Sequence, residues 1–275
     1  MWYNIAMITL IIAIVVAGGV FASTHYVFDW SLIWSIVMGV VGFGVFQVLM
    51  SILIQRRVKA DMLRVQDILM GGQKRLQQKM QRWQMRPPGS LQAAQKEIFE
   101  DTKLFVKSAL EETEKLSKYR LWVPMMERQI ATARVQLSWM IKDFKAVDNN
   151  MKKALLLDPS MAAIKMARMY MLDEPIDAIM KVYHKGVARV RYNGNVLLAA
   201  TMSWIQVHRN DADGAFKTLT EALKKSDNAT LKQNHEHLMN NRVAHFSNSG
   251  IGDQWYSLLL EEPKVHVQRQ RSVYR

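Results

Sequence analysis

Two uncharged apolar runs constrain this chain more than any other feature. They are residues 5–22 (IAMITLIIAIVVAGGVFA) and 32–54 (LIWSIVMGVVGFGVFQVLMSILI), and Gln55-Arg56-Arg57-Val58-Lys59 follows the second at once. As helices they would be about 27 and 35 Å long, enough to cross a hydrocarbon core of ~30 Å. The connector Ser23–Ser31 admits only a tight hairpin. The segment Met1-Trp2-Tyr3-Asn4 carries no Lys or Arg, so the first run does not read as a cleaved signal peptide.

Lys/Arg asymmetry gives the expected orientation. The connector has none, whereas the segment after the second run opens with three, so both termini are expected on the cytoplasmic face of an inner membrane. Trp2, Tyr3, Tyr26, Trp30 and Trp34 lie at the run ends, where aromatic belts form. Ala13 and Ala17, Gly18 and Ala22, and Ser35 and Gly39 recur at four-residue spacing, with Gly42 one turn further on. Such small residues let helices approach closely, within the hairpin or against another membrane subunit. Gln47 and Ser51 are the polar residues deep in the second run, and no ionisable group accompanies them, which argues against a transport path.

Beyond residue 55 the chain becomes charged. Nine Lys/Arg and two Asp fall between Arg56 and Arg86. Val58, Met62, Val65, Leu69, Leu76, Met80 and Trp83 form a heptad-like seam, and Gly71-Gly72 is expected to kink or break it. Arg86-Pro87-Pro88-Gly89 ends this helix, and Ser90 is a suitable N-cap for the next, whose seam runs Leu91, Ala94, Ile98, Phe105, Ala109, Leu116. An antiparallel coiled-coil-like hairpin is expected. The basic residues Arg56, Arg57, Lys59, Arg64, Lys74 and Arg75 are expected at a membrane surface bearing anionic lipid headgroups. An acidic protein partner is the alternative. Nucleic acid is not expected, since no reader motif accompanies the charge.

Residues 120–263 read as short amphipathic helices with an internal echo. Lys153-Ala154-Leu155-Leu156-Leu157-Asp158-Pro159 and Glu221-Ala222-Leu223-Lys224-Lys225-Ser226-Asp227 lie 68 residues apart, twice 34, with Ala188 midway. Ala215, Leu219, Ala222 and the weaker series Met151, Ala154, Pro159 resemble the second helix of a tetratricopeptide repeat. Ala199 and Ser203 supply small side chains where the paired helix would touch. The pattern departs from that family where Lys181 and Lys185 occupy the places of a small and a large apolar residue. By architecture alone, the order of two membrane helices, Arg cluster and repeat-like helices resembles the bacterial inner-membrane family linked to haem biosynthesis. No motif of that family is present, and no residue role or haem function is carried over.

The expected fold is therefore all-α, with a transmembrane hairpin (1–55), a basic helical hairpin (56–119), a tetratricopeptide-like domain (120–263) and a basic tail (264–275). The absence of cysteine excludes disulfides, thiolate metal sites and Cys nucleophiles. His235-Glu236-His237 spaces its histidines two apart, on opposite sides of a helix, so it is not a metal motif. Gly71-Gly72-Gln73-Lys74 lacks the first glycine of a phosphate-binding loop. Asn228-Ala229-Thr230 is a glycosylation sequon that a cytoplasmic location would leave unused. No cofactor and no enzymatic activity are expected.

The expected role is a membrane-anchored scaffold or assembly factor that binds acidic segments of other proteins. Its expected groove cations are Lys165, Arg168, Lys181, Lys185, Arg189 and Arg191. The alternative is a structural subunit of a larger inner-membrane machine for secretion or envelope biogenesis, held through Ala13, Ala17, Ser35, Gly39 and Gly42.

Overall fold

The computed structural model describes residues 7–85, 89–120, 122–123 and 125–263. Trp2 and Tyr3, the Arg86–Pro88 part of the expected turn and the basic tail lie outside them. All regular structure among the described residues is helical. The chain forms two compact units, Met1–Ala154 and Leu155–Arg275, a division that falls within the expected 120–263 domain.

The first unit begins with α1 (Met7–Ala22) and α2 (Leu32–Met85). Leu10–Val27 and Leu32–Trp83 each contain an 18-residue window apolar enough to cross a membrane, with mean hydropathy 2.0 and 2.3. A wide helical turn, Ser23–Val27, closes α1. There Ser23 Oγ donates to Gly19 O and Thr24 Oγ1 donates to Val20 O and Phe21 O, satisfying carbonyls that a helix end would leave open. Ala13 and Ser35 are fully buried between the two helices. A Cβ at Gly39 would lie 3.2 Å from Ala17 O, and one at Gly42 would lie 3.1 Å from Val20 Cγ2. Ala13, Ala17, Ser35, Gly39 and Gly42 thus serve the contact between α1 and α2, whereas the expected pair Gly18 and Ala22 is exposed, because it lies on the opposite face of α1. Ile14, Val15, Ile33 and Val40 point outward, more than half exposed.

The main departure from expectation is that α2 does not stop or break. It runs 54 residues, about 80 Å, from the apolar run through Gly71-Gly72 to Met85. The reason is tertiary. A Cβ at Gly72 would lie 2.3 Å from Cγ of Phe105, so the phenyl ring sits directly on the glycine. The missing side chain makes a notch, and filling it offsets the weak helix propensity of glycine.

Phe105 belongs to α3 (Leu91–Lys115), which is capped by Ser90 Oγ accepting from Ala93 N at 3.1 Å. The pairings Lys79 with Glu97 and Asp101, Gly72 with Phe105, and Asp61 with Tyr119 show α3 retracing α2 antiparallel. One apolar cluster buries Val65, Val106, Ala109 and Leu137. A second buries Leu116, Tyr119, Met126 and Ile130, with Ile54, Val58, Met62 and Val123 packed against it. The chain therefore returns to the end of the apolar run before starting α4 (Met126–Met140) and α5 (Phe144–Met151).

The second unit contains α6 (Pro159–Met171), α7 (Ile176–Val187), α8 (Val196–His208), α9 (Ala212–Leu223), α10 (Ala229–Met239) and the short α11 (Asp253–Tyr256). Its centre is α8, where every residue from Leu197 to Gln206 is buried. Tyr170 and Trp255 pack on Trp204. Glu261 accepts from the indole N–H of both Trp204 and Trp255, the latter at 2.8 Å, so these aromatics belong to the core.

Four helices end in the same closed turn. The N–H groups of Asp143, Glu174, Asp211 and Arg242 donate to the carbonyls of Ser138, Met169, Gln206 and His237 at 2.7–3.0 Å. The preceding residues Lys142, Asp173, Asn210 and Asn241 are left-handed, with φ of 53–60°. From Ser138 to Met169 is 31 residues, from Met169 to Gln206 is 37, and from Gln206 to His237 is 31. Every second step is 68, matching the echo in the sequence, but single steps alternate around 34. The buried residues of α7 are accordingly Ile179, Tyr183 and Gly186, not Lys181, Lys185 and Ala188.

Candidate partner-binding site

A groove of about 460 Å³ lies between α7 and α9, floored by α8. Met180, Tyr183 and Val187 form an apolar wall on α7, and His184, Lys217, Glu221 and Lys225 line the rim. The floor is polar and buried. Thr218 Oγ1 donates to Gln206 Oε1 at 2.8 Å, and Asn195 Nδ2 donates to Ala222 O at 3.1 Å. Among the described residues, Asn195 Oδ1 has no hydrogen-bond partner. Burial, with the Glu221 carboxylate adding to it, pushes the Tyr183 phenol up to about 12, so it is a neutral wall residue near pH 7.

None of the six cations expected from the sequence lines this groove. Lys181 and Lys185 are exposed one turn apart on α7, and Arg191 is exposed in the link to α8. Lys165 and Arg168 are half-buried on α6. Arg189 donates to Leu156 O at 2.7 Å, a tie within the unit. Lys217 and Lys225 take the place at the groove that the sequence reading gave to these six. Their signal was present: Lys217, Glu221 and Lys225 recur every four residues beside the buried stripe Ala215, Leu219, Ala222.

The first unit carries a second polar constellation. Asp61 is buried and accepts from Tyr119 Oη and Lys118 Nζ, both at 2.9 Å, while Arg64 approaches at 3.3 Å. The Lys118 hydrogen bond, with that of Tyr119, holds the Asp61 carboxyl below its ordinary value despite its burial. Arg56, Arg57 and Lys59 are exposed in the first turns after Ile54. Lys74 and Arg75 are also exposed, but lie some 20 residues, about 30 Å, further along the continuous helix.

Among the described residues, no group of three or more His, Asp or Glu side chains is placed to hold a metal ion. His235 stacks on Phe216, with ring centroids 4.5 Å apart, and its Nε2 lies 3.0 Å from Thr220 Oγ1. Compared with family models, with curated proteins and with solved structures, the chain matches none of them.

Proposed function

We propose that this chain is a membrane-anchored scaffold or assembly factor whose helical second unit binds an acidic segment of another protein. The carrying observation is the unbroken α2, in which an apolar stretch of membrane-crossing length and a basic stalk are one rigid rod. A chain built this way holds the charged helices of its first unit at a fixed distance from a bilayer. The proposed site is the groove between α7 and α9, where an apolar wall offers side-chain contact and Lys217 and Lys225 offer cations to an acidic side chain, set beside the Asp211 and Glu221 carboxylates of the same lining. The hairpins of the two units, closed by one recurring turn, support a degenerate tetratricopeptide-like reading.

The proposed topology puts both termini in the cytoplasm of an inner-membrane protein, with Arg56, Arg57 and Lys59 at anionic headgroups. Lys74 and Arg75 stand several Debye lengths away from that surface and are not part of the contact.

The test is site-specific photocrosslinking in native membranes. A photoreactive residue at Met180 should yield a defined adduct, and Lys217→Glu with Lys225→Glu should abolish it without changing helix content or melting temperature. An adduct that survives charge reversal, or one formed equally from exposed Leu157, sinks the assignment.

A further inference from the structure

Resting on the membrane reading above, we propose that Arg120, Trp122 and Met125, in the link between α3 and α4, form a second lipid-contacting element that docks on anionic headgroups beside the exit of α2.

The antiparallel return of α3 dictates where this link lies. Tyr119 reaches Asp61, about 10 Å along the axis from Ile54, and the next residues of the chain carry on toward the end of the apolar run. Ile54 and Val58 pack against the cluster that holds Leu116, Tyr119 and Met126. That cluster, with Val123 of the link packed on it, is thus laid against the last turn of the apolar run.

Met125 is the residue that packing leaves unexplained. It is the N-cap of α4, with φ 64° and no side-chain cap hydrogen bond. That position favours Ser, Thr, Asp or Asn, and left-handed backbone favours Gly or Asn. A methionine meets neither preference, and the residue is 39% exposed. Trp122 is half-buried three residues earlier, as suits an interfacial tryptophan with an apolar body and a polar N–H. An apolar pair at the level where the lipid-facing surface of α2 ends is covered when that surface is covered.

Charge selects the lipid. Residues 56–64 and 115–128 together hold eight Lys/Arg against two Asp/Glu. Asp61 is taken up by Lys118, Tyr119 and Arg64, and Glu127 by Lys153 at 2.7 Å, while Lys115 pairs with the buried Glu112 at 2.6 Å, so Arg64, Lys115 and Lys118 are engaged within the first unit and the outward charge rests on the cations that remain. Arg120 is exposed, as are Arg56, Arg57 and Lys59 on α2. The resulting collar is cationic on two separate stretches of chain and suits anionic phosphate headgroups.

The chain has no cysteine, so single nitroxide labels can be placed without background. The full chain is reconstituted in phosphatidylcholine vesicles with and without about 30 mol % phosphatidylglycerol. Labels go at Val45, Met125 and Met80, and access of oxygen and of a water-soluble nickel chelate is compared. The expected result is Val45 in lipid, Met80 in water, and nickel access lost at Met125 in anionic vesicles. Arg120→Gln with Trp122→Ser should restore that access. A label at exposed Ser117 repeats the measurement should Met125→Cys misfold. Val45 in lipid with Met125 as open to nickel as Met80 overturns the inference while leaving the anchor intact. Equal shielding in neutral vesicles overturns the choice of anionic lipid. Val45 open to nickel overturns the membrane reading itself.

Discussion

Adding one methyl group at Gly72 should loosen the α2–α3 hairpin, and adding it one residue earlier should tighten it. Both glycines lie inside the same helix, so Gly→Ala brings each the same gain in helix propensity, about 1 kcal/mol. At Gly71 the new Cβ meets nothing within 4 Å, and the gain stands alone. At Gly72 it would lie 2.3, 2.4 and 2.7 Å from Cγ, Cδ1 and Cδ2 of Phe105. Those atoms are the root of the ring, so no small side-chain rotation relieves the clash. Overpacking of this kind costs about 1–3 kcal/mol. The propensity gain cancels between the neighbours, so Gly72→Ala should be less stable than Gly71→Ala by about 1–3 kcal/mol, a factor of roughly 5–150 in local opening. Hydrogen exchange on the reconstituted full chain, read over amides 65–80 of α2, measures that ratio. In a Phe105→Ala background the clash is gone, and Gly72→Ala should become stabilising. Equal protection in the two single variants would refute the register in which Phe105 rests on Gly72.

Four further outcomes follow from the same geometry. Glu261→Ala leaves two indole donors in the second unit without an acceptor, and should cost about 2–4 kcal/mol by thermal unfolding, with a change in tryptophan fluorescence. Lys142→Gly removes a side chain from a left-handed turn position and should stabilise the first unit by up to about 1 kcal/mol, read as a higher melting temperature. Tyr183 is raised in the folded state, so its stabilisation is complete below the unfolded value of 10 and is lost as pH climbs toward about 12. Tyr183→Phe should remove the corresponding alkaline slope, about 1.4 kcal/mol per pH unit, and one delayed tyrosinate absorbance step. Asp61 is lowered, so its contribution is present above 3.8 and lost as pH falls below that value, and Asp61→Asn should flatten this part of the acid unfolding profile.

What could be read in advance was whatever depends on near neighbours in the chain. The two apolar runs, the Ser90 cap and the seam that α3 shares with α2 are local patterns, and each has its counterpart in the structure. The unbroken α2 was not legible, because the residue that makes Gly72 tolerable lies 33 positions downstream at Phe105. The repeat was half legible for a related reason. Links between helices vary in length, so closing turns fall at alternating intervals of 31 and 37, and a search at 34 meets every second hairpin while misplacing those between. In that alternating register Lys181 and Lys185 stay exposed on α7, while Lys217 and Lys225 line the groove. Side-chain charge was visible; which helical face carried it depended on a register set by tertiary packing.

The latch at Asp61 shows how these levels connect. A carboxylate buried among apolar residues is costly unless its oxygens are satisfied, and here Lys118 and Tyr119 supply the donors from the far end of α3. Neither residue is recognisable as a partner from its own surroundings, since Lys118-Tyr119-Arg120 reads as an ordinary polar helix end. Together with the Leu116, Tyr119, Met126 and Ile130 cluster, they fix the start of α4 within about two turns of Ile54, the last residue of the apolar run. The stalk is then a loop of rigid helix that leaves the apolar segment and comes back to it. The base of the first unit is held at the end of the apolar run of α2, where Ile54 and Val58 pack against it.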